Sequence, residues 1–364
     1  MIILFSANSF EHLYKLRIKI LKNFQKQGFE VYAVAKDDEF KTKITELGIK
    51  VITININPHS KNFLKDIGLL VSYYKIFKKI KPDILYNSTI KPNIYGSMVS
   101  GLLKIKTINN ISGLGTGFLK SKLLKRLIII LYRFSNKNVY KIYFQNKEDM
   151  IFFEKEKISK KNQSTLIPGS GVDTNFFKRK TEFSPNKKTN FIFIGRILKE
   201  KGILELISAF NKFQKNNPSK LTIIGSYDPE NPSSVNIKKF IDDVDLDQSI
   251  KYLGVKKNII DYLENSDCLI LPSYREGLSN VLLEAMSMKL PVLASNVPGC
   301  KDLIINNNGF LFEPKSVESI YNALKKFASL SKREIIDMGK NGRELVEKKY
   351  DVRLLLKIYQ NDII

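Results

Sequence analysis

Two glutamates, Glu276 and Glu284, stand eight positions apart in the stretch YREGLSNVLLEAM (residues 274–286), one on each side of a Gly-Leu-Ser-Asn turn. The apolar run CLILPS leads in and a run with helical spacing leads out. The pattern predicts a strand, a loop carrying Glu276, and a helix with Glu284 about one turn inside it. Gly277 lacks a Cβ, so backbone and ligand can approach closely there. Ser279 or Asn280 can cap the helix, and free N–H groups across Gly277, Leu278, Ser279 and Asn280 form an anion site at its N-terminus. The two carboxylates can accept hydrogen bonds from neutral hydroxyls, a ribose diol at Glu284 and another polyol at Glu276. Taken alone, the pair also reads as a surface glutamate and an ordinary helix-face glutamate.

A second constellation follows the apolar run NFIFIG. In GRILKEKG, Arg196 and Lys201 stand five apart in a loop closed by Gly202. Two cations at the mouth of a sheet suit a diphosphate, which Arg binds bidentately, although a basic loop alone is also ordinary solvated decoration. Other chemistries find less support. The D-x-D within DDVDLD (242–247) sits in a polar loop before SIKYLG and reads as a solvated acidic turn, so no metal is expected. The glycines of GLGTG (113–117) are spaced GxGxG without an acidic partner. They make a flexible cleft loop, in which Gly113 and Gly115 allow close approach, and not a dinucleotide fingerprint. No P-loop and no GxSxG elbow occur. The only cysteines, Cys268 and Cys300, form no CxxC, which argues against a disulfide framework or structural zinc and fits a reducing cytosol.

The elements that must position these residues are legible in the alternation of apolar runs with amphipathic stretches. IILFSA, EVYAVA, KVITINI, DILYNS and IKTINN read as strands in the first half, with helical spacing at 11–27 and 61–80. NFIFIG, KLTIIG, SIKYLG, DCLILP and LPVLAS repeat the pattern in the second. Such alternation predicts an α/β protein with two parallel sheets of βαβ units. Ligands then bind beyond the carboxyl ends of the strands, where both constellations lie. The expected domains are 1–170 and 191–345, joined by a linker over 171–190 whose polar stretch is KRKTEFSPNKKTN (178–190). A last helix over 346–364 is expected to pack back on the first domain.

GRILKEKG, the long segment YLGVKKNIIDYLENSDCLILPSYREGLSNVLLEAMSMKLPVLASNVPG and GFLFEP together resemble the retaining glycosyltransferases of family 4, which have the GT-B fold of two Rossmann-like domains facing across a cleft. The resemblance covers essentially the whole second half. It implies that Arg196 and Lys201 bind the diphosphate of a nucleotide-sugar donor, that Glu284 holds its ribose, and that Glu276 faces the transferred sugar. By the same resemblance Gly254 and Val255 lie along the base, and the backbone after Glu276 contacts sugar and phosphate. In the first half, YNSTIKPNIYG and NNISGLGTGFL look like members that build bacterial surface polysaccharides and undecaprenyl-diphosphate-linked glycans, which puts Asn8, Lys91, Gly113 and Gly115 at the acceptor or cleft. Many relatives carry a histidine near the position of Ile90. This chain has none there, and no catalytic base is assigned. The function implied is retaining transfer of a hexose or N-acetylhexosamine from a UDP-sugar, without a cofactor, to a lipid-linked glycan. A GT-B nucleotide-sugar epimerase and a non-catalytic sugar-nucleotide-binding subunit are the alternatives.

Charge adds a partner. Residues 1–180 hold 33 Lys and Arg against 13 Asp and Glu, a net +20 of the whole chain's +24. A one-sided basic half points to a polyanionic neighbour, and no nucleic-acid-binding module accompanies it. FLKSKLLKRLIIILYRFSNKNVYK (118–141) combines a broad apolar face with Lys122, Arg126, Arg133 and Lys137 and reads as one basic amphipathic helix. By itself it is either an ordinary domain helix with solvated lysines or the kind that lies on anionic membranes, the second favoured by the basic half and a lipid-linked acceptor. The start MIILFSANSF reads as a buried strand and not a signal peptide. The longest uninterrupted apolar run, LIIILY, is far short of the roughly 20 residues that span a bilayer. A cytoplasmic protein, peripheral on the inner face of the membrane, is the expectation.

Overall fold

A computed structural model of the chain describes residues 1–56, 66–114, 122–186, 188–244 and 249–363. The chain forms two compact units, Met1–Ser170 with Leu356–Ile364, and Gly171–Leu355.

The first unit is built on strands β1 (Ile2–Ser9), β2 (Glu30–Lys36), β3 (Lys50–Thr53), β4 (Ile84–Ser88), β5 (Lys106–Ile111), β6 (Lys141–Phe144) and β7 (Ser164–Leu166). They form one sheet in the order β3-β2-β1-β4-β5-β6-β7, with every neighbouring pair parallel. β1 and β4 each bury five consecutive residues, because helices cover both faces of a parallel sheet. Those helices are α1 (Phe10–Lys26), α2 (Phe40–Thr45), α3 (Ile67–Ile80), α4 (Ser97–Leu102), α5 (Lys122–Ser135) and α6 (Lys147–Lys155). α1 begins where the Ser9 side chain accepts the His12 N–H, and it buries Leu13, Ile20, Leu21 and Phe24 against the sheet. α4 is entered through a π-turn, Pro92–Gly96. A Cβ at Gly96 would meet the Asn87 Oδ1 at 2.8 Å, so the turn lies hard against β4. The helix expected over 118–141 is shorter. Residues 118–121 lie outside the described chain, and α5 stops at Ser135 because Ser135 and Asn136 turn into the interior. Lys137 lies on the 3-10 turn that follows.

The second unit repeats the plan. β8 (Thr189–Ile194), β9 (Ser219–Ile224), β10 (Ile250–Tyr252), β11 (Cys268–Leu271), β12 (Val292–Ser295) and β13 (Gly309–Phe312) lie in the order β10-β9-β8-β11-β12-β13, again all parallel. Helices α7 (Ile203–Gln214), α8 (Ile237–Val244), α9 (Ile260–Glu264), α10 (Asn280–Ser287), α11 (Val317–Ala328) and α12 (Lys332–Lys349) accompany the strands. The core includes Phe191, Phe193, Leu206, Phe210, Leu283 and Leu293. The polar stretch 178–190 belongs with this unit. The Arg179 guanidinium stacks 4.6 Å from the Phe183 ring centroid, and Asn186 donates backbone and side-chain N–H groups to Asp267 at 2.9 and 3.0 Å. A final helix, α13 (Val352–Gln360), carries the chain to its C-terminal segment, which counts with the first unit.

In each sheet the strand order reverses once, between β1 and β4 and between β8 and β11. The loops that leave those strands diverge to opposite faces and leave a crevice between them, the usual ligand position in open α/β sheets.

Candidate functional site

The second unit's crevice collects the residues singled out by sequence. β8 ends at Ile194, and Gly195 and Arg196 follow at its carboxyl edge. Gly195 donates its N–H to the Ile224 carbonyl at 2.9 Å, and the Gly225 N–H reaches the Gly254 carbonyl at 3.0 Å. A Cβ at Gly225 would stand 1.7 Å from the Gly195 carbonyl oxygen. Gly225 therefore lets the exit loops of β8 and β9 pack backbone to backbone. Val255, just beyond Gly254, is 68% exposed, an apolar surface against which a flat ring could lie.

The loop after β8 is then stitched to the loop after β11. Lys201 ends a 3-10 turn, Lys199–Lys201, and Gly202 takes φ +67° to start α7. A Cβ at Gly202 would lie 2.1 Å from the Pro272 carbonyl oxygen. The Tyr274 N–H donates to the Glu200 carbonyl at 2.8 Å, and the Tyr274 hydroxyl hydrogen-bonds Glu205. This register brings the Lys201 ammonium onto the Glu276 carboxylate, a direct ion pair with both side chains mostly withdrawn from solvent. Arg196 stays exposed and has no ion-pair partner among the described residues.

The Gly-Leu-Ser-Asn turn is held from below by the loop after β12. Glu276 donates its N–H to the Pro298 carbonyl at 3.3 Å and Ser279 to the Gly299 carbonyl at 3.1 Å. Ser279 is the cap of α10, accepting the Leu282 N–H at 3.4 Å. Its own N–H is thus committed to Gly299 and is not among the free donors expected at this turn. Leu278 and Asn280 have no acceptor for their N–H groups among the described residues. Gly299, at φ +75°, fits under the turn only as glycine, because a Cβ would lie 2.4 Å from the Gly277 carbonyl oxygen. Glu284 projects from α10 one turn in, with no hydrogen-bond or ion-pair partner among the described residues, and burial pushes its carboxyl up from 4.5 to about 8. A desolvated, unpartnered carboxylate gains most from two neutral hydroxyl donors, as a vicinal diol provides.

In the first unit the crevice between β1 and β4 holds Asn8, whose N–H donates to the Thr89 Oγ1 at 3.1 Å. Its Oδ1 is buried and has no donor among the described residues. Thr89 takes φ +73°, a strained conformation for a β-branched residue. Lys91, assigned from sequence to the acceptor side, is buried and donates to Asp66 Oδ1 at 2.6 Å, while the Tyr95 hydroxyl donates to Asp66 Oδ2 at 2.9 Å. Its charge is already paired within the unit. Gly113 takes φ +110°, and Gly115 lies outside the described residues, as do His59 and residues 245–247 of the acidic turn. Burial lowers the His12 imidazole to about 3, so it stays neutral across the physiological range. Among the described residues no group of His, Cys, Asp or Glu could hold a metal ion.

Sequence reading missed Tyr274, Pro298 and Gly299, which shape the site through backbone contacts. The signal was present in VPG directly after a strand.

Two family models match this architecture: "Glycosyl transferases group 1" over residues 174–345 and "Glycosyl transferase 4-like" over residues 2–146. The chain is a glycosyltransferase, with a 4-like domain followed by a group 1 domain. The glycosyltransferase is 26% identical over 318 residues, 83% of this chain and 82% of the relative, to the N,N'-diacetylbacillosaminyl-diphospho-undecaprenol alpha-1,3-N-acetylgalactosaminyltransferase of Campylobacter jejuni. It is 26% identical over 340 residues, 90% of this chain and 86% of the relative, to the UDP-Gal:alpha-D-GlcNAc-diphosphoundecaprenol alpha-1,3-galactosyltransferase of Escherichia coli. Among solved structures, Anabaena HepE in complex with UDP-glucose superposes with a TM-score of 0.83 at 18% identity, covering 100% of this chain and 99% of that one, which shows the shared GT-B fold. The enzyme is thus a glycosyltransferase with the GT-B fold.

Proposed function

We propose that the enzyme transfers a hexose or N-acetylhexosamine from a UDP-sugar, with retention, to an undecaprenyl-diphosphate-linked glycan at the inner face of the cytoplasmic membrane. The observation that carries this reading is the set Arg196, Lys201, Glu276 and Glu284 around one switch point, with a capped helix N-terminus between the two carboxylates. The names of the Campylobacter and Escherichia relatives support the lipid-linked acceptor.

In the ligand-free chain Lys201 neutralises Glu276. An arriving diphosphate, with Arg196 as first contact, takes the Lys201 ammonium, and the released Glu276 accepts hydrogen bonds from hydroxyls of the donor sugar. The ribose diol donates to Glu284, and exposed Val255 beside Gly254 lies along the base. The bond from the sugar's anomeric carbon to the diphosphate oxygen then breaks. The acceptor oxygen bonds that carbon on the same face, and the acceptor hydroxyl proton passes to the departing diphosphate oxygen. No side chain is required as base, in keeping with a neutral, buried His12. The protein's cations and N–H dipoles supply the neutralisation that a metal provides elsewhere.

Purified enzyme should release UDP from a UDP-N-acetylhexosamine or UDP-hexose only when an undecaprenyl-diphosphate sugar is supplied, give an axial glycosidic product from an α-linked donor, and retain activity in excess EDTA. Interconversion of the donor sugar without any acceptor would establish the epimerase reading instead. Strict dependence on Mn²⁺ or Mg²⁺ would restore a metal-held diphosphate.

A further inference from the structure

The first unit carries a surface that donor chemistry does not use. Helices α3, α4 and α5 lie side by side along one face of its sheet, α4 packed between the other two. Their outer faces are unusually apolar. On α5, Leu123, Leu127, Ile130 and Phe134 recur at one helical face, with Leu123 80% and Phe134 71% exposed. On α3, Ile67, Val71 and Tyr74 repeat the same spacing, and Leu102 at the end of α4 is 73% exposed. The opposite faces of α3 and α5 account for their burial, through Tyr73 and Phe77 and through Ile128, Ile129 and Tyr132, so the outer stripes are not the core-facing sides of these helices.

The charge on this layer is one-sided. None of the three helices contains an Asp or Glu, while α3 carries Lys75, Lys78 and Lys79 and α5 carries Lys122, Lys125, Arg126 and Arg133. On α5 the exposed Lys122, Arg126 and Arg133 form a stripe one residue out of phase with the apolar one, flanking it along the helix. Arg133 also reaches the Glu156 carboxylate at 3.4 Å. Beyond the C-terminal ends of α3 and α4, an open pocket of about 400 Å³ lined by Lys78, Lys81 and Lys104, with Asp83 as its one carboxylate, adds net positive charge at the rim. An apolar strip edged by cations, on three helices that themselves carry no carboxylate, complements the boundary between acyl chains and anionic headgroups.

We propose that the α3–α4–α5 layer is the enzyme's lipid-docking face, with Leu123, Leu127, Ile130 and Phe134 entering an anionic monolayer and the α5 cations lying at its phosphates. This rests on the proposed work at a membrane, and it adds an apolar component to what charge alone would give. Surface electrostatics are screened over about 8 Å at physiological salt, whereas buried apolar area is not weakened by salt. Binding by this face should therefore fall, but persist, as salt is raised.

The chain has no tryptophan, so Phe134→Trp in the full-length enzyme introduces a single indole reporter on the stripe, and Phe176→Trp an exposed control in the other unit. With phosphatidylglycerol vesicles, the emission of the Phe134→Trp protein should shift to the blue and be quenched by lipids brominated along their acyl chains, while the Phe176→Trp protein does neither. Neutral phosphatidylcholine vesicles should give at least tenfold weaker partitioning. Leu127→Glu with Ile130→Glu should cut phosphatidylglycerol partitioning by at least tenfold while UDP binding is unchanged. Vesicle binding without the blue shift would overturn insertion by this face. A blue shift that grows with protein concentration in the absence of lipid would overturn the lipid assignment in favour of a second copy of the chain. The donor reading fails separately, through loss of UDP binding, which requires no lipid.

Discussion

At the scale of single residues, Glu284 and Glu276 are carboxylates put to different uses by their surroundings. Glu284 has no partner among the described residues, and burial holds its carboxyl near 8, above the ordinary 4.5. Between those values the folded ligand-free enzyme keeps a proton that the unfolded chain releases. The contribution to stability is complete below about pH 4.5 and is lost as pH rises through 8. Glu284→Gln removes that dependence, so the variant should melt above the wild type at pH 8, with the difference closing towards pH 5, while UDP binding weakens. Melting curves at both pH values without nucleotide check the sign. Glu276 is instead neutralised by Lys201, which the proposed mechanism hands over to the diphosphate. Glu276→Gln should bind UDP several-fold more tightly, because a neutral amide holds the ammonium less strongly. Its kcat should fall by about a hundredfold or more through the lost contact to the reacting sugar. Equal or weaker UDP affinity in titration would show that the ion pair does not compete with the donor.

At the scale of elements, the site depends on loops that pack on one another's backbones. Gly299 supports the turn between Glu276 and α10, and Ala there would combine φ +75° with a 2.4 Å approach to the Gly277 carbonyl. A left-handed conformation costs a non-glycine residue about 1–2 kcal/mol before any clash. Gly299→Ala should therefore lower the melting temperature by several degrees and reduce kcat/KM for the donor, both measurable on the purified variant. These elements were unevenly legible in sequence. The ten strand-like runs each coincide with a strand, most plainly β1, β8 and β11, where burial on both faces of a parallel sheet favours apolar residues. β6, β7 and β13 went unread, although β10 and β11 are equally short. α5 was drawn too long, since its helical spacing continues into polar residues that turn inward at Ser135 and Asn136. Arg196, Lys201, Glu276 and Glu284 were visible because each directly follows a strand or opens a helix. The Lys201–Glu276 and Lys91–Asp66 pairs were not, because sequence spacing gives no measure of which distant charges meet.

At the scale of the whole molecule, two doubly wound units share a sheet order, yet it is the second that carries the Lys201–Glu276 pair, the exposed Arg196 and the desolvated Glu284 in the segments after its switch-point strands. The first places a buried, paired Lys91 and a strained Thr89 at its own. Its C-terminal segment is fixed firmly: the buried Asp362 accepts from Lys141 at 2.9 Å and from the Tyr143 hydroxyl. The basic charge sits mainly in the unit with the apolar helical layer, away from the donor residues in sequence. This separation makes the central claim, that the donor's diphosphate is held by the second unit's own cations, testable without acceptor or membrane. Calorimetric titration of UDP into the wild type, Arg196→Ala, Lys201→Ala and the double variant tests it most directly. A charge-assisted contact is worth about 1.5–3 kcal/mol, or roughly a tenfold to hundredfold loss of affinity for each single change. The account predicts losses in that range for both single variants and no measurable binding by the double variant. Wild-type affinity in the double variant, with its fold intact, would contradict the account.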